Sequence, residues 1–93
     1  MEALSPPPAV KSDPNSREIA RIWGAHGSQH VVVNAQLWQD PAAWGIMLVD
    51  LARHVANAYE QLEGRDISAT LDRIKSGFDA EWDSPTSDAR GSV

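Results

Sequence analysis

The spacing of apolar positions changes period at about residue 41 of the 93. Residues 17–23 read Arg-Glu-Ile-Ala-Arg-Ile-Trp and residues 29–34 read Gln-His-Val-Val-Val-Asn. Both runs favour extended backbone. Gly24-Ala25-His26-Gly27-Ser28 separates them, which predicts a β-hairpin with a loop of about five residues rather than a tight two-residue turn. Val31-Val32-Val33 places apolar side chains on both faces. Either both faces are covered or the second strand needs a further partner. A short extra strand is allowed at 36–38.

From residue 41 the period becomes helical. Asp40 can cap a helix and Pro41 fits its first turn, so a long helix is expected over 41–63. Trp44, Leu48, Leu51, Val55, Ala58 and Leu62 form one stripe at about 100° per residue. Adding Met47, Val49, Ala52, Ala56 and Tyr59 widens the apolar arc to about 200°, enough to face both a sheet and a second helix. Gly64 is a natural stop. With Asp66 as cap, Ile67, Leu71, Ile74, Phe78 and Trp82 mark a second helix over 67–82, and Pro85 lies beyond its end. The short connection makes the helices antiparallel neighbours. It pairs Leu62 with Ile67, Ala58 with Leu71, Val55 with Ile74, Leu51 with Phe78, and Leu48 or Trp44 with Trp82. Gly45 and Gly77 fall inside helices, at about 1 kcal/mol each relative to Ala. Close backbone approach is the expected reason, so Gly77→Leu should destabilise beyond its propensity.

Composition sets the limits of this pattern. Pro6, Pro7, Pro8 and Pro14 crowd a polar stretch, so residues 1–16 are expected to be a disordered arm. Residues 84–93 read as a second disordered tail. One domain is left over 17–83, holding all the Trp, Tyr and Phe. A domain of this size buries roughly 60% of its unfolded surface, so self-association is a common remedy. There is no Cys, which excludes disulfides and thiol chemistry and points to a reducing compartment. No basic, apolar leader opens the chain and no run is long enough to span a membrane, so a cytoplasmic location is expected. Net charge is −5. An acidic domain with dispersed Arg is a poor match for nucleic acid or anionic lipid.

Candidate chemistry is sparse. Asp50 and His54 stand four apart with Arg53 between them, a spacing that could orient an imidazole or begin a metal site. No third ligand is spaced to join them, and a solvated helix face is the simpler reading. His26 and His30 would have to come from the hairpin. Ser28 beside either His lacks a nucleophile elbow. Neither a phosphate loop nor a calcium loop is present. Trp38, Trp44 and Trp82 are read as core. Trp23 and Ile46 are read as an apolar contact surface, with Asp50, Arg53 and His54 beside them on the interaction face.

The segment Leu37-Trp38-x-Asp40-Pro41-x-x-Trp44-Gly45-x-x-Leu48-Val49-Asp50-x-Ala52-Arg53-His54, followed by Phe78-Asp79-x-Glu81-Trp82, resembles a small family of bacterial proteins known as a domain of unknown function. The resemblance covers residues 17–86. It implies a bacterial cytoplasmic protein and brings no activity with it. The fold expected is α+β: a two-stranded antiparallel hairpin packed on an antiparallel helix pair, in the order ββαα. The role expected is a non-catalytic interaction or adaptor module, needing no cofactor and no metal, with a protein partner or a second copy at the hairpin edge. The alternatives are a ligand-sensing domain with a Trp-lined pocket and a small enzyme using Asp50 and His54.

Overall fold

A computed structural model describes residues 3–86 and the backbone of 91–92. The chain divides into two compact units, Met1–Leu37 with Arg90–Val93, and Trp38–Ala89.

The first unit is built on strands β1 (Ala20–Ala25) and β2 (Ser28–Val33). They pair antiparallel, from Ala20 opposite Val33 to Ala25 opposite Ser28. That register leaves only His26 and Gly27 in the turn, which corrects the expected five-residue loop. Both have positive φ, 52° and 74°. Two successive left-handed residues give the primed turn that suits strand twist. Gly adopts it freely and His is among the residues that tolerate it. The sequence lacks the Asn-Gly or Asp-Gly dipeptide that normally signals such a turn. The same register puts Ala20, Ile22, Val31 and Val33 on one face and Arg21, Trp23, Val32 and His30 on the other.

The further partner for β2 comes from the chain itself. A two-residue strand, β3 (Gly91–Ser92), pairs in parallel with Val31 and Val32, giving the sheet order β1-β2-β3. The expected strand at 36–38 is instead part of a turn in which the Leu37 N–H donates to Asn34 O at 3.2 Å. The N-terminal arm is exposed throughout its described length but carries one local element, α1 (Pro8–Ser12). Pro8 suits the first turn of a helix, and Asp13 follows with its carboxylate accepting from the Asn15 N–H at 2.8 Å. Residues 87–90 and 93, within the expected C-terminal tail, lie outside the described residues.

The second unit is a helix pair, α2 (Ala42–Glu63) and α3 (Ile67–Asp83). Asp40 accepts from the Ala42 N–H at 2.9 Å and so satisfies an orphan donor just before the helix. Gly64 ends α2 in the left-handed conformation, φ 67°. Asp66 caps α3 by accepting from the Ala69 N–H at 2.8 Å. Trp38 and Trp44 meet edge to face at 5.1 Å, both half-buried.

Burial along α2 is centred away from the expected stripe. Ala56 is the fully buried side chain of the described residues, at 0% exposure. It lies roughly 120° around α2 from the centre of the Trp44–Leu48–Leu51–Val55–Leu62 stripe. Small residues let the helices meet on that side, while Leu48, Leu51, Val55 and Leu62 stay exposed. On α3 the expected face is kept at Ile67, Leu71 and Ile74, which are half-buried. Beyond them Trp82 is 75% exposed and stacks on Phe78 of its own helix at 5.7 Å, so it is not core.

Gly45 and Gly77 do not mediate close approach, because nothing lies within 4 Å of a Cβ built at either. Gly77→Ala should therefore raise stability by up to about 1 kcal/mol. Thermal denaturation should show a higher midpoint; a lower one would contradict the open space.

At the end of α3 the Glu81 carboxylate accepts from the Thr86 N–H at 3.1 Å and from its hydroxyl at 2.7 Å. These hydrogen bonds hold the Glu81 pKa below its ordinary value. A lowered folded pKa means this tie is fully present above the unfolded value, about 4.3, and is lost as pH falls through the lower folded one. Carbon-detected NMR should find Glu81 titrating below the ordinary value of a Glu carboxyl, and Thr86→Val should move it back up. An ordinary Glu81 midpoint in the unaltered chain would remove the tie.

Candidate functional site

The polar side of α2 follows from its period. Ile46, Asp50, Arg53, His54 and Asn57 recur at three- and four-residue steps and share one exposed face. Ile46 is 67% exposed, as an apolar residue on that side must be. Arg53 approaches Asp50 at 3.7 Å, with the two side chains 65% and 63% exposed. The carboxylate is thus shared with a guanidinium in water, where such a pair contributes about 0–1 kcal/mol. Among the described residues no three His, Asp or Glu converge on one point. Of Asp50, Arg53 and His54, Arg53 also lines the concavity between α2 and α3 described below.

Ser28 and His30 do meet, at the hairpin turn. Ser28 Oγ lies 3.3 Å from His30 Nε2, and both atoms lie near Ala25 O, at 3.4 Å and 3.0 Å. A carbonyl only accepts, so Nε2 facing it at 3.0 Å carries the proton. A protonated Nε2 cannot take one from Ser28, and the pair braces the turn instead. His26 is exposed in the turn itself. Trp23 sits in β1 opposite His30 and is half-buried. With Glu18, Ile19, Val32 and Asn34 it lines a shallow depression of about 380 Å³. The Glu18 carboxylate at its rim binds Arg21 Nε at 2.8 Å and raises the Arg21 pKa, chiefly through that hydrogen bond.

An apolar concavity of about 530 Å³ runs between α2 and α3. Leu48, Leu51 and Val55 line it from α2, and Leu71, Ile74 and Phe78 from α3. Leu51 and Phe78, paired on sequence grounds, do share it, yet they are 42% and 50% exposed. Val49 is 51% exposed beside them. Arg53, Asp72, Lys75 and Asp79 supply its charged lining. Lys75 Nζ binds Asp79 at 2.7 Å, and that hydrogen bond raises the Lys75 pKa. No Trp lines this groove: Trp38 packs on Trp44 and Trp82 on Phe78, and Trp23 belongs to the hairpin.

Sequence reasoning named Arg53 but not the groove. The signal was present in the 200° apolar arc, which is about twice the stripe a surface helix needs for one neighbour. An arc that wide is equally what a helix packed on both a sheet and a second helix would carry.

Comparison with known proteins agrees with the motif reading. A family model described as a domain of unknown function (DUF5076) matches residues 3–86, and the chain belongs to that family. The match extends through most of the N-terminal arm as well as the motif. No curated protein matches the chain. A solved structure described as "Structure of a putative pyruvate dehydrogenase from the photosynthetic bacterium Rhodopseudomonas palustrus CGA009" is similar over 97% of this chain and 92% of its own, with 30% identity and a TM-score of 0.74.

An exposed polar face with one solvated ion pair should tolerate change. His54→Ala and Asp50→Asn should each shift stability by no more than about 0.5 kcal/mol. Urea denaturation measures this, and a loss beyond about 2 kcal/mol would mean that face is engaged.

Proposed function

We propose that this member of the DUF5076 family is a non-catalytic protein-interaction module whose contact surface is the α2–α3 groove. One observation carries the reading: an apolar groove formed by both helices stays open, with its aliphatic and aromatic lining about half exposed. An apolar concavity rimmed by charged side chains, here Arg53, Asp72, Lys75 and Asp79, is the kind of surface that marks an interaction site. The surface expected from sequence moves accordingly. It shifts from Trp23, Ile46, Asp50 and His54 to the groove, with Arg53 common to both.

Catalysis on a small carboxylate such as pyruvate finds no support in the side chains. An anion of that size needs a cation held in a partly dry cavity. Every described Lys and Arg is exposed, and the larger groove is mainly aliphatic. The ligand-sensing reading loses its Trp-lined pocket for the reason given above. A bacterial cytoplasmic setting fits the absence of cysteine and the bacterial source of the structural neighbour.

A photo-crosslinking amino acid placed at Val55, in the groove, should capture protein in cells. The same group at Asn57, on the opposite side of α2, should capture far less. Equal yields at both positions, or none at Val55, would remove the groove as an interaction surface.

A further inference from the structure

We infer that β3 is a guard strand: Gly91–Ser92 covers the outer edge of β2 and keeps that edge from pairing with β2 of a second copy of this chain. The residues involved are separate from the α2–α3 groove. The backbone sets the starting point. The Asn34 N–H donates to Ile19 O at 2.9 Å, next to the first paired residues of the hairpin. Backbone groups in an antiparallel pair face the partner at every second residue, so Val32 and His30 also turn theirs towards β1. Val31 and Val33 therefore turn their N–H and C=O the other way. On that side lies β3, in parallel, with Gly91 opposite Val31 and Ser92 opposite Val32.

An uncovered edge is a template for another strand, and the edge of β2 would be a strong one. Residues 29–34 read Gln-His-Val-Val-Val-Asn, with successive β-branched side chains, no Pro and no Gly. Segments of that composition are the ones that stack between chains. The usual protections are missing from this one. Residues 22–39 hold no Asp, Glu, Lys or Arg, on a chain that is 23% charged. The 6 residues of β2 pair one for one with β1, with no bulge to twist the edge away. The opposite edge of the sheet differs, because β1 carries Arg21, exposed and bound to Glu18 at 2.8 Å.

Covering is the device that remains. With β3 in place, the exposed edge passes from a valine-rich strand of 6 residues to a strand of 2 residues, Gly and Ser. Very short edge strands are themselves a protection. The covered positions, Val31 and Val32, lie inside the valine run. Pairing this short supplies few backbone hydrogen bonds, so the cover detaches while the longer β1–β2 pair holds.

Hydrogen exchange on the full chain tests the cover, with Ser92→Pro as the variant. Proline has no N–H and cannot continue a ladder. Ser92→Ala keeps the N–H and is the control. Ser92→Pro should speed exchange at the Val31 and Val33 amides roughly five- to tenfold, while Val32, bonded towards β1, stays protected. Light scattering tests the guard. A chain ending at Arg90 should form larger assemblies than the full chain at equal concentration. Val32→Lys in the shortened chain should restore the size of the full chain, because an edge Lys opposes strand pairing. Val32 is 44% exposed, so the charge has room. Unchanged exchange at Val31 and Val33 in Ser92→Pro overturns the cover. A shortened chain no larger than the full one overturns the guard, and so does a larger one that Val32→Lys fails to restore. Loss of Val32 protection in Ser92→Pro would make β3 a structural part of the hairpin, which overturns the inference as well.

Discussion

The constraint that governs this protein is the width of the apolar arc on α2. A helix with one neighbour needs a stripe of about 100°, and α2 carries about twice that. Ala56 is fully buried on one side of it, and the larger Leu48, Leu51 and Val55 are 39–44% exposed on the other. The distribution makes physical sense. Alanine lets two helix axes approach closely, and the bulkier Leu48, Leu51 and Val55 then project past the contact to form a wall. The groove is the geometric remainder of a close helix pair built from a two-sided helix.

The energetics point the same way. Burying one Leu, Val or Phe side chain is worth roughly 1.5–3 kcal/mol, and a domain's whole stability is typically about 5–15 kcal/mol. Several half-exposed residues of this kind therefore represent a large share of what the fold can draw on. Solvated ion pairs such as Asp50–Arg53 and Lys75–Asp79 cannot replace that amount. Nor can the Trp38–Trp44 and Phe78–Trp82 contacts, each worth about 0.5–1.5 kcal/mol beyond its area.

Local chemistry was legible in the chain; the direction of its faces was less so. Asp40, Gly64 and Asp66 mark the helix ends because capping and left-handed stops depend on a few neighbouring residues. The α3 stripe was readable because only one set of positions is apolar. The α2 contact was not, because an arc of 200° offers more than one face to a neighbour and periodicity cannot choose among them. Residue size decided it. The His26-Gly27 turn was missed because a left-handed His is uncommon, and β3 because two residues carry no period. The polar constellations resolved into local contacts, Asp50 with Arg53 and His30 with the Ala25 carbonyl, since each lay within a few residues of its partner.

Thiol labelling of Leu51→Cys, in a chain with no other cysteine, tests most directly whether the α2–α3 groove stands open in the folded chain. The account predicts that a small maleimide labels the folded chain at a rate close to that of the unfolded chain. Strong protection of Leu51→Cys in the folded chain would contradict it.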